Sequence, residues 1–332
     1  MSSRPAPTLV MGDFGDARCG VGRSLAALYD GRSVDVLDPT VGGLREWWRR
    51  CRAIDGPVVV VYPTSSTFES PRLFLRAAVA RVAARGAFRT YLHEYERFRR
   101  PHRPFVALLA ALATDAIVVS TQTEVDALHR PWPKRVVRRR PILVAPPANG
   151  AAPSAPVQAG APEPGLAGVF GMWRPDKSPG WVDDVLARLP EVTRVQLVGG
   201  GWETGHVPRA VARGVEVEVL GHVADAELPR HFDRWSAAIA PFADGPHDGR
   251  LSLRTPLAYG VPTITSSPRP GALTLRPSHL VLVEATSDGP ISVPALSADE
   301  RTAAAAEVAR FEAEVRGRLR GYLDDGPPAS AG

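Results

Sequence analysis

The chain has 332 residues, 44% of them hydrophobic and 23% charged, a length that predicts two domains and a balance that excludes a disordered or fibrous protein. Two cysteines, Cys19 and Cys51, exclude a disulfide framework and fit a reducing compartment, and no apolar run reaches the ~20 residues of a membrane span. The 40 Lys and Arg residues against 35 Asp and Glu give a formal charge of +5, which points to nucleic acid, an anionic membrane face or phosphorylated substrates, or to nothing more than an Arg- and Ala-rich genome composition. The amino-terminal residues lack the apolar core of a signal peptide, so a cytoplasmic protein is expected, peripheral to a membrane if the charge serves one.

In chain order, residues 8–11 read as a first strand, then a loop through Asp13, Asp16, Gly20, Gly22 and Arg23, then a helix with Ser24 near its N-cap. Gly20 and Gly22 either let backbone approach a ligand closely or make only a tight turn, because the full G-x-G-x-x-G spacing is absent. Residues 33–37 follow as a strand and 41–53 as a helix. Residues 57–62, with four valines in a row, give a strong buried-strand signal. A helix over 72–85 leads to a strand over 88–92 that ends in His93-Glu94-Tyr95. Polar residues just past a parallel strand's carboxyl end sit where open α/β sheets bind ligands. The simpler reading of His93 is a surface histidine paired with Glu94. The basic run Arg97 to Arg103 is short and broken by Pro101, which suits a solvated or phosphate-facing loop better than a nucleic-acid arm. A helix over 105–113, a strand over 116–120, a helix starting at 124–129 and a short strand by residue 144 close the first half.

Residues 145–165 are crowded with Ala, Pro and Gly and read as a partly flexible linker. The alternation then restarts with strands over 166–170, 195–198 and 215–220, and helices over 181–189, 208–213 and 225–234, the last with Asp225 as N-cap. Next come an apolar strand over 237–241, a polar loop through Asp244, Gly245, His247 and Arg250, a short helix from Leu251 past Thr255 that stops at Gly260, and a strand over 263–265. Free N–H groups at that helix start, together with the Arg250 fork, make an anion site, or else the stretch is an ordinary βαβ unit with a solvated loop. A strand over 280–283 and a long helix over 298–322 end the chain. The restarted alternation predicts an α/β protein of two doubly wound parallel sheets facing each other across a cleft.

Several segments then carry a resemblance in order. Phe170-Gly-Met-Trp-Arg-Pro-Asp-Lys177, Leu197-Val-Gly-Gly-Gly201, Leu220-Gly-His-Val-Ala-Asp-Ala-Glu-Leu228, and Pro241-Phe-Ala-Asp-Gly245 through Leu257-Ala-Tyr-Gly-Val-Pro262 resemble the donor-domain motifs of family-4-type glycosyltransferases of the GT-B architecture. Gly20-Val-Gly-Arg23, His93-Glu-Tyr95 and Phe311-Glu…Tyr322 extend the likeness more loosely over nearly the whole chain. The resemblance implies two Rossmann-like domains: residues 1–150 on the acceptor side, 151–295 binding the nucleotide sugar, and 296–332 as a helix crossing back to the first domain, plus a tail. It implies transfer of a sugar from a nucleotide-diphosphate donor with retention of configuration. It implies His93, Arg174 and Lys177 as catalytic residues, and Gly20, Gly22, Gly199, Gly200, His222, Val223, Asp244, Gly245, His247, Arg250, Leu251 and Thr255 at the donor. Asp13, Asp16, Arg23 and Glu94 fall on the acceptor side.

No Asp-x-Asp-like pair is well placed, so a metal-independent reaction with no cofactor beyond the nucleotide sugar is expected. Arg174 and Lys177, three residues apart, are suited to a leaving diphosphate. One departure stands out. Many members carry two glutamates eight residues apart where this chain has His247 and Thr255. A non-catalytic nucleotide-sugar-binding partner on the same fold is therefore the alternative. Nucleic-acid binding is the weakest reading, since the 7% aromatic residues are spread over predicted core strands. The acceptor is left open among small molecules, lipid-linked sugars and glycans.

Overall fold

The computed structural model describes residues 6–16, 19–63, 71–93, 102–138, 140–153, 160–173, 179–202, 214–242, 245–284 and 289–328. The chain divides into two compact units, residues 1–150 with 314–332, and residues 151–313.

The first unit holds β1 (Thr8–Val10), α1 (Gly20–Leu28), β2 (Asp35–Leu37), α2 (Leu44–Arg52), β3 (Val58–Tyr62), α3 (Pro71–Ala83), β4 (Phe88–Leu92), α4 (Arg103–Ala111), β5 (Ile117–Val119), α5 (Gln122–Leu128), α6 (Pro131–Val137) and β6 (Ile142–Val144). Its sheet runs β2-β1-β3-β4-β5-β6, with every pair parallel. Side chains of a strand alternate between faces, and both faces here are covered. Val58, Val60 and Tyr62 join one core with Trp47, Leu73, Val106 and Leu128, whereas Val59 and Val61 join a second with Leu25 and Leu28. Leu319 and Leu323 complete that second core from the chain's last helix, α10 (Ala298–Asp324). That helix is divided between the units at residue 313.

The second unit holds β7 (Glu163–Phe170), α7 (Pro179–Ala187), β8 (Arg194–Val198), β9 (Glu216–Gly221), α8 (Leu228–Arg234), β10 (Trp235–Ala240), α9 (Leu251–Ala258), β11 (Thr263–Ser266) and β12 (Leu280–Val283). Its parallel sheet runs β12-β11-β10-β7-β8-β9. Counted within the unit, that is the 3-2-1-4-5-6 order of a dinucleotide-binding fold, with its switch point between β7 and β10. Gly168 allows the crossing there, because a Cβ on it would lie 2.1 Å from the Trp235 indole.

Three local expectations are corrected, and one helix is added that the sequence reading left out. Cys19, not Ser24, caps α1, its sulfur accepting from Gly22 N–H, and Ser24 lies inside the helix with its hydroxyl on the Gly20 carbonyl at 2.7 Å. Asp225 is not a cap, since α8 starts later at Leu228 with Glu227 at its N-cap. Residues 131–137, to which the sequence reading assigns no element, form a helix, because both of its prolines fit the first turn. The described part of the expected linker is tied down. Ala145, Ala148 and Asn149 are fully buried, and Glu163 opens β7. The Arg234 and Arg194 guanidiniums hold the Glu163 carboxyl down at about 2. The expected helix over 208–213 lies outside the described residues.

Candidate functional site

In the second unit the turns after β7, β8 and β9 are laced together by backbone. Gly171 N–H donates to Val198 O at 2.8 Å, Trp173 N–H to Gly200 O at 2.9 Å and Gly199 N–H to Gly221 O at 2.7 Å. The buried Trp202 indole donates to Gly171 O at 2.9 Å. Gly199 has φ 129°, and a Cβ there would lie 2.4 Å from the Gly171 carbonyl carbon, so only glycine closes this turn. Gly200 is half-buried beside it, His222 is exposed, and Val223 packs against the core around Phe232.

Across the switch point, β10 runs into the loop that precedes α9. Asp248 is buried and braces this loop, accepting from Thr274 N–H at 3.0 Å, from the Thr274 hydroxyl at 2.6 Å and from Leu275 N–H at 3.3 Å. The imidazole Nδ1 of His247 accepts from Gly249 N–H at 3.1 Å, and its carbonyl accepts from Arg250 N–H at 2.9 Å. Gly245 turns the chain at φ 87°. Arg250 is the N-cap residue of α9 and makes no side-chain cap. It is buried, with its guanidinium 4.7 Å from the Phe242 ring centroid, so it is not the exposed loop charge that the simpler reading gives. Leu251 is the first helical residue, and Thr255, one turn on, is fully buried with its hydroxyl donating to Leu251 O at 2.8 Å.

Beneath them sits a pair that sequence reasoning misses. Arg254 is fully buried, donates through Nε to Glu312 Oε1 at 2.8 Å and through Nη2 to Glu312 Oε2, and gives Nη1 to the Asp248 carbonyl at 2.9 Å. The signal is a charged residue between Leu253 and Leu257 on an otherwise apolar helix face, which demands a buried partner.

In the first unit, His93 follows β4 and is buried. Its Nδ1 lies 2.7 Å from Ser120 Oγ, and its ring packs at a 60° tilt with its centroid 4.1 Å from that of Tyr91. It is therefore not a surface histidine. Ser120 is fixed in turn by the buried Glu124 carboxylate, which accepts from the N–H groups of Ser120 at 2.7 Å and Thr121 at 2.9 Å. Thr121 and Glu124 form the capping box of α5. Asp13 has φ 59°, Asp16 is exposed, and Arg23 is half-buried on α1. Gly20 opens α1 with nothing within 4 Å of a Cβ. Gly22 serves internal packing instead, because a Cβ there would lie 1.8 Å from the Asp13 carbonyl oxygen. The space its missing side chain leaves is filled by the chain itself. Glu94, Arg174, Lys177 and Asp244 lie outside the described residues.

No protein-family model and no curated protein sequence matches this chain. Solved structures do. HepE from Anabaena, in complex with UDP, is 13% identical over 96% of this chain and 97% of its own, with a TM-score of 0.59. The same protein in complex with UDP and glucose is 15% identical over 97% of this chain and 95% of its own, with a TM-score of 0.57. AviGT4, a glycosyltransferase involved in avilamycin A biosynthesis, is 16% identical over 96% of this chain and 98% of its own, with a TM-score of 0.52. The chain has the GT-B fold.

The residues brought to the carboxyl edge of the second sheet are the Gly171 and Gly199 turns, the Gly245–Arg250 loop and the start of α9. A backbone-lined edge with an arginine and a helix amino end suits a phosphate group. Among the described residues, no three His, Cys, Asp or Glu side chains are grouped as a metal site would require.

Proposed function

We propose that the protein is a glycosyltransferase that moves a sugar from a nucleotide-diphosphate donor to a small-molecule, lipid-linked or glycan acceptor. The observation that carries this reading is the switch point of the second unit. Adjacent strands β7 and β10 end there in a glycine-built turn and in the Arg250–α9 start, the arrangement a diphosphate needs. What the neighbours bind, UDP and UDP-glucose, supports the donor class.

In this reading the second unit holds the donor, and the leaving diphosphate is neutralised by Arg250, Arg174 and Lys177 and by the amino end of α9. Charge on the diphosphate grows as the glycosidic bond breaks, so contacts fixed beforehand by Asp248 and Phe242 stabilise the transition state more than the ground state. His93, oriented by Ser120, supplies a hydrogen bond to a sugar hydroxyl. Asp13, Asp16, Arg23 and Glu94 belong to acceptor recognition. The reaction retains configuration and needs no metal, so EDTA leaves the rate intact. Strict dependence on added magnesium or manganese would reject that part.

The test is release of nucleoside diphosphate from a panel of nucleotide sugars, since slow hydrolysis accompanies transfer even without the acceptor. Release from one donor class is expected. A second reading, a non-catalytic nucleotide-sugar-binding partner, is favoured by Thr255, whose buried hydroxyl stands where many relatives by resemblance carry a carboxylate. Donor binding without release, with or without candidate acceptors, would select it. Neither binding nor release would reject both.

A further inference from the structure

One face of the first unit has a composition that donor chemistry does not use. On it α2 packs against α3, α3 against α4, and α4 against α6, a continuous helical layer whose inner side is the core around Trp47, Leu73, Val106 and Val137. Large apolar side chains that are exposed are few among the described residues, and six of the eight lie on these four helices: Leu44, Trp48, Leu75, Val82, Leu108 and Trp132. The same helices carry ten Lys and Arg residues and one acid, Glu46, an excess larger than the +5 of the whole chain. The remainder of the protein is thus net negative, and the positive charge is concentrated on one layer.

Arg76 accounts for only one of the ten. It turns inward, with its guanidinium 5.2 Å from the Trp47 ring centroid, and donates to the Val41 and Gly42 carbonyls. Arg45, Arg49, Arg50 and Arg52 on α2, Arg72 on α3, and Lys134 and Arg135 on α6 are all exposed. At the end of α6, Lys134 in its last turn and Arg138 and Arg140 beyond it line a basic concavity of about 730 Å³ with Thr114.

We propose that this layer is a docking face for an anionic lipid bilayer surface. The charge selects a negative partner, and the apolar residues select among negative partners. They are spread over four helices that also carry ten Lys and Arg residues, so a partner that takes them must take the positive charge with them, whereas the core of a protein interface is depleted of charge. A phosphodiester backbone offers aliphatic side chains such as Leu44, Leu75, Val82 and Leu108 nothing to contact, whereas the headgroup–acyl boundary takes them and the arginines together. The two tryptophans stand on the first and last helices of the layer, and tryptophan is the residue that anchors at that boundary. Among the described residues, no helix is long and apolar enough to cross a membrane, so the contact is peripheral. The proposal is independent of the donor reading, because the donor assay contains no lipid.

The test is sedimentation of the full chain with vesicles of phosphatidylcholine alone or mixed with phosphatidylglycerol, at low salt and at ~1 M salt, where the screening length falls to ~3 Å. Binding to the mixed vesicles only, lost at high salt, is expected. The triple variant R45Q/R49Q/R52Q should bind about a hundredfold more weakly, roughly fivefold per charge removed. A control double variant R230Q/R276Q, at exposed positions on the second unit, should bind as the parent does. Brominated phosphatidylglycerol should quench tryptophan fluorescence in the parent and less in W48L/W132L, a readout that also reports on variants that bind weakly. Melting curves that match the parent exclude unfolding as the cause. The proposal is overturned by equal binding to both vesicle types, by no binding, by quenching unchanged in W48L/W132L, or by a dimer or DNA complex that the triple variant abolishes while vesicle binding is absent.

Discussion

Lys177 and Arg174 are the residues whose roles rest most on resemblance, and they can be tested one at a time. Lys177→Ala removes a charge-assisted contact that strengthens as the diphosphate leaves, so turnover should fall on the order of 10²-fold. Arg174→Lys should also slow the reaction, because a point charge cannot reproduce a planar fork. Normal turnover in Lys177→Ala would put the phosphates elsewhere. His279 sets a pH limit of a different kind. It is fully buried, and its Nε2 donates to Leu257 O at 3.0 Å. Burial pushes its imidazole below the ordinary value of 6.5. A depressed histidine contributes stability that is present above the unfolded value and lost as pH falls through the folded one, since the unfolded chain takes up the proton first. The melting temperature should therefore fall as pH drops from about 7.5 to 5.5, in the range where histidine titrates. His279→Gln, which can still donate to the same carbonyl, should flatten that slope, and an unchanged slope would assign it to other groups. Neither this histidine nor the Arg254–Glu312 pair is evident in the sequence, because a buried polar group is recognised by its partner, and the partners are 22 and 58 residues away.

The elements themselves are more legible. The four-valine strand is found nearly residue for residue, since a run buried on both faces leaves no alternative period, and the last strand, half-buried at its sheet's edge, is found from its short apolar run alone. Helix starts fare worse. A cysteine cap at Cys19 runs against the usual signal of Ser24, and the helix that starts at Pro131 goes unread although proline in a first turn favours one. At the site, the loop-then-helix pattern around Arg250 can be read, but the bracing of that loop by Asp248 cannot. Helices α9 and α10 meet through Arg254 and Glu312, which gives this junction a sharp energetic signature. Glu312→Leu leaves a buried guanidinium without its carboxylate and should cost ~3–5 kcal/mol. The double variant Arg254→Met with Glu312→Leu should recover most of that loss, because replacing a buried pair with apolar groups is often near neutral. Chemical denaturation of the three proteins measures both, and a double variant as unstable as the single one would show that Arg254 holds the Asp248 carbonyl for stability in its own right.

At the scale of the molecule, two parallel sheets of six strands follow from an alternation visible in the sequence, and the order of the second sheet explains why its glycine turns and Arg250 share one edge. The account's central claim is that this edge binds the diphosphate of a nucleotide-sugar donor. Thermal unfolding with a panel of nucleoside diphosphates and their sugar conjugates tests it most directly. At a hundred times its dissociation constant, the right nucleotide should add about 2.7 kcal/mol and raise the melting temperature accordingly. The same nucleotide should shift Arg250→Ala far less. A folded parent protein whose melting temperature no nucleoside diphosphate or nucleotide sugar moves would contradict the claim.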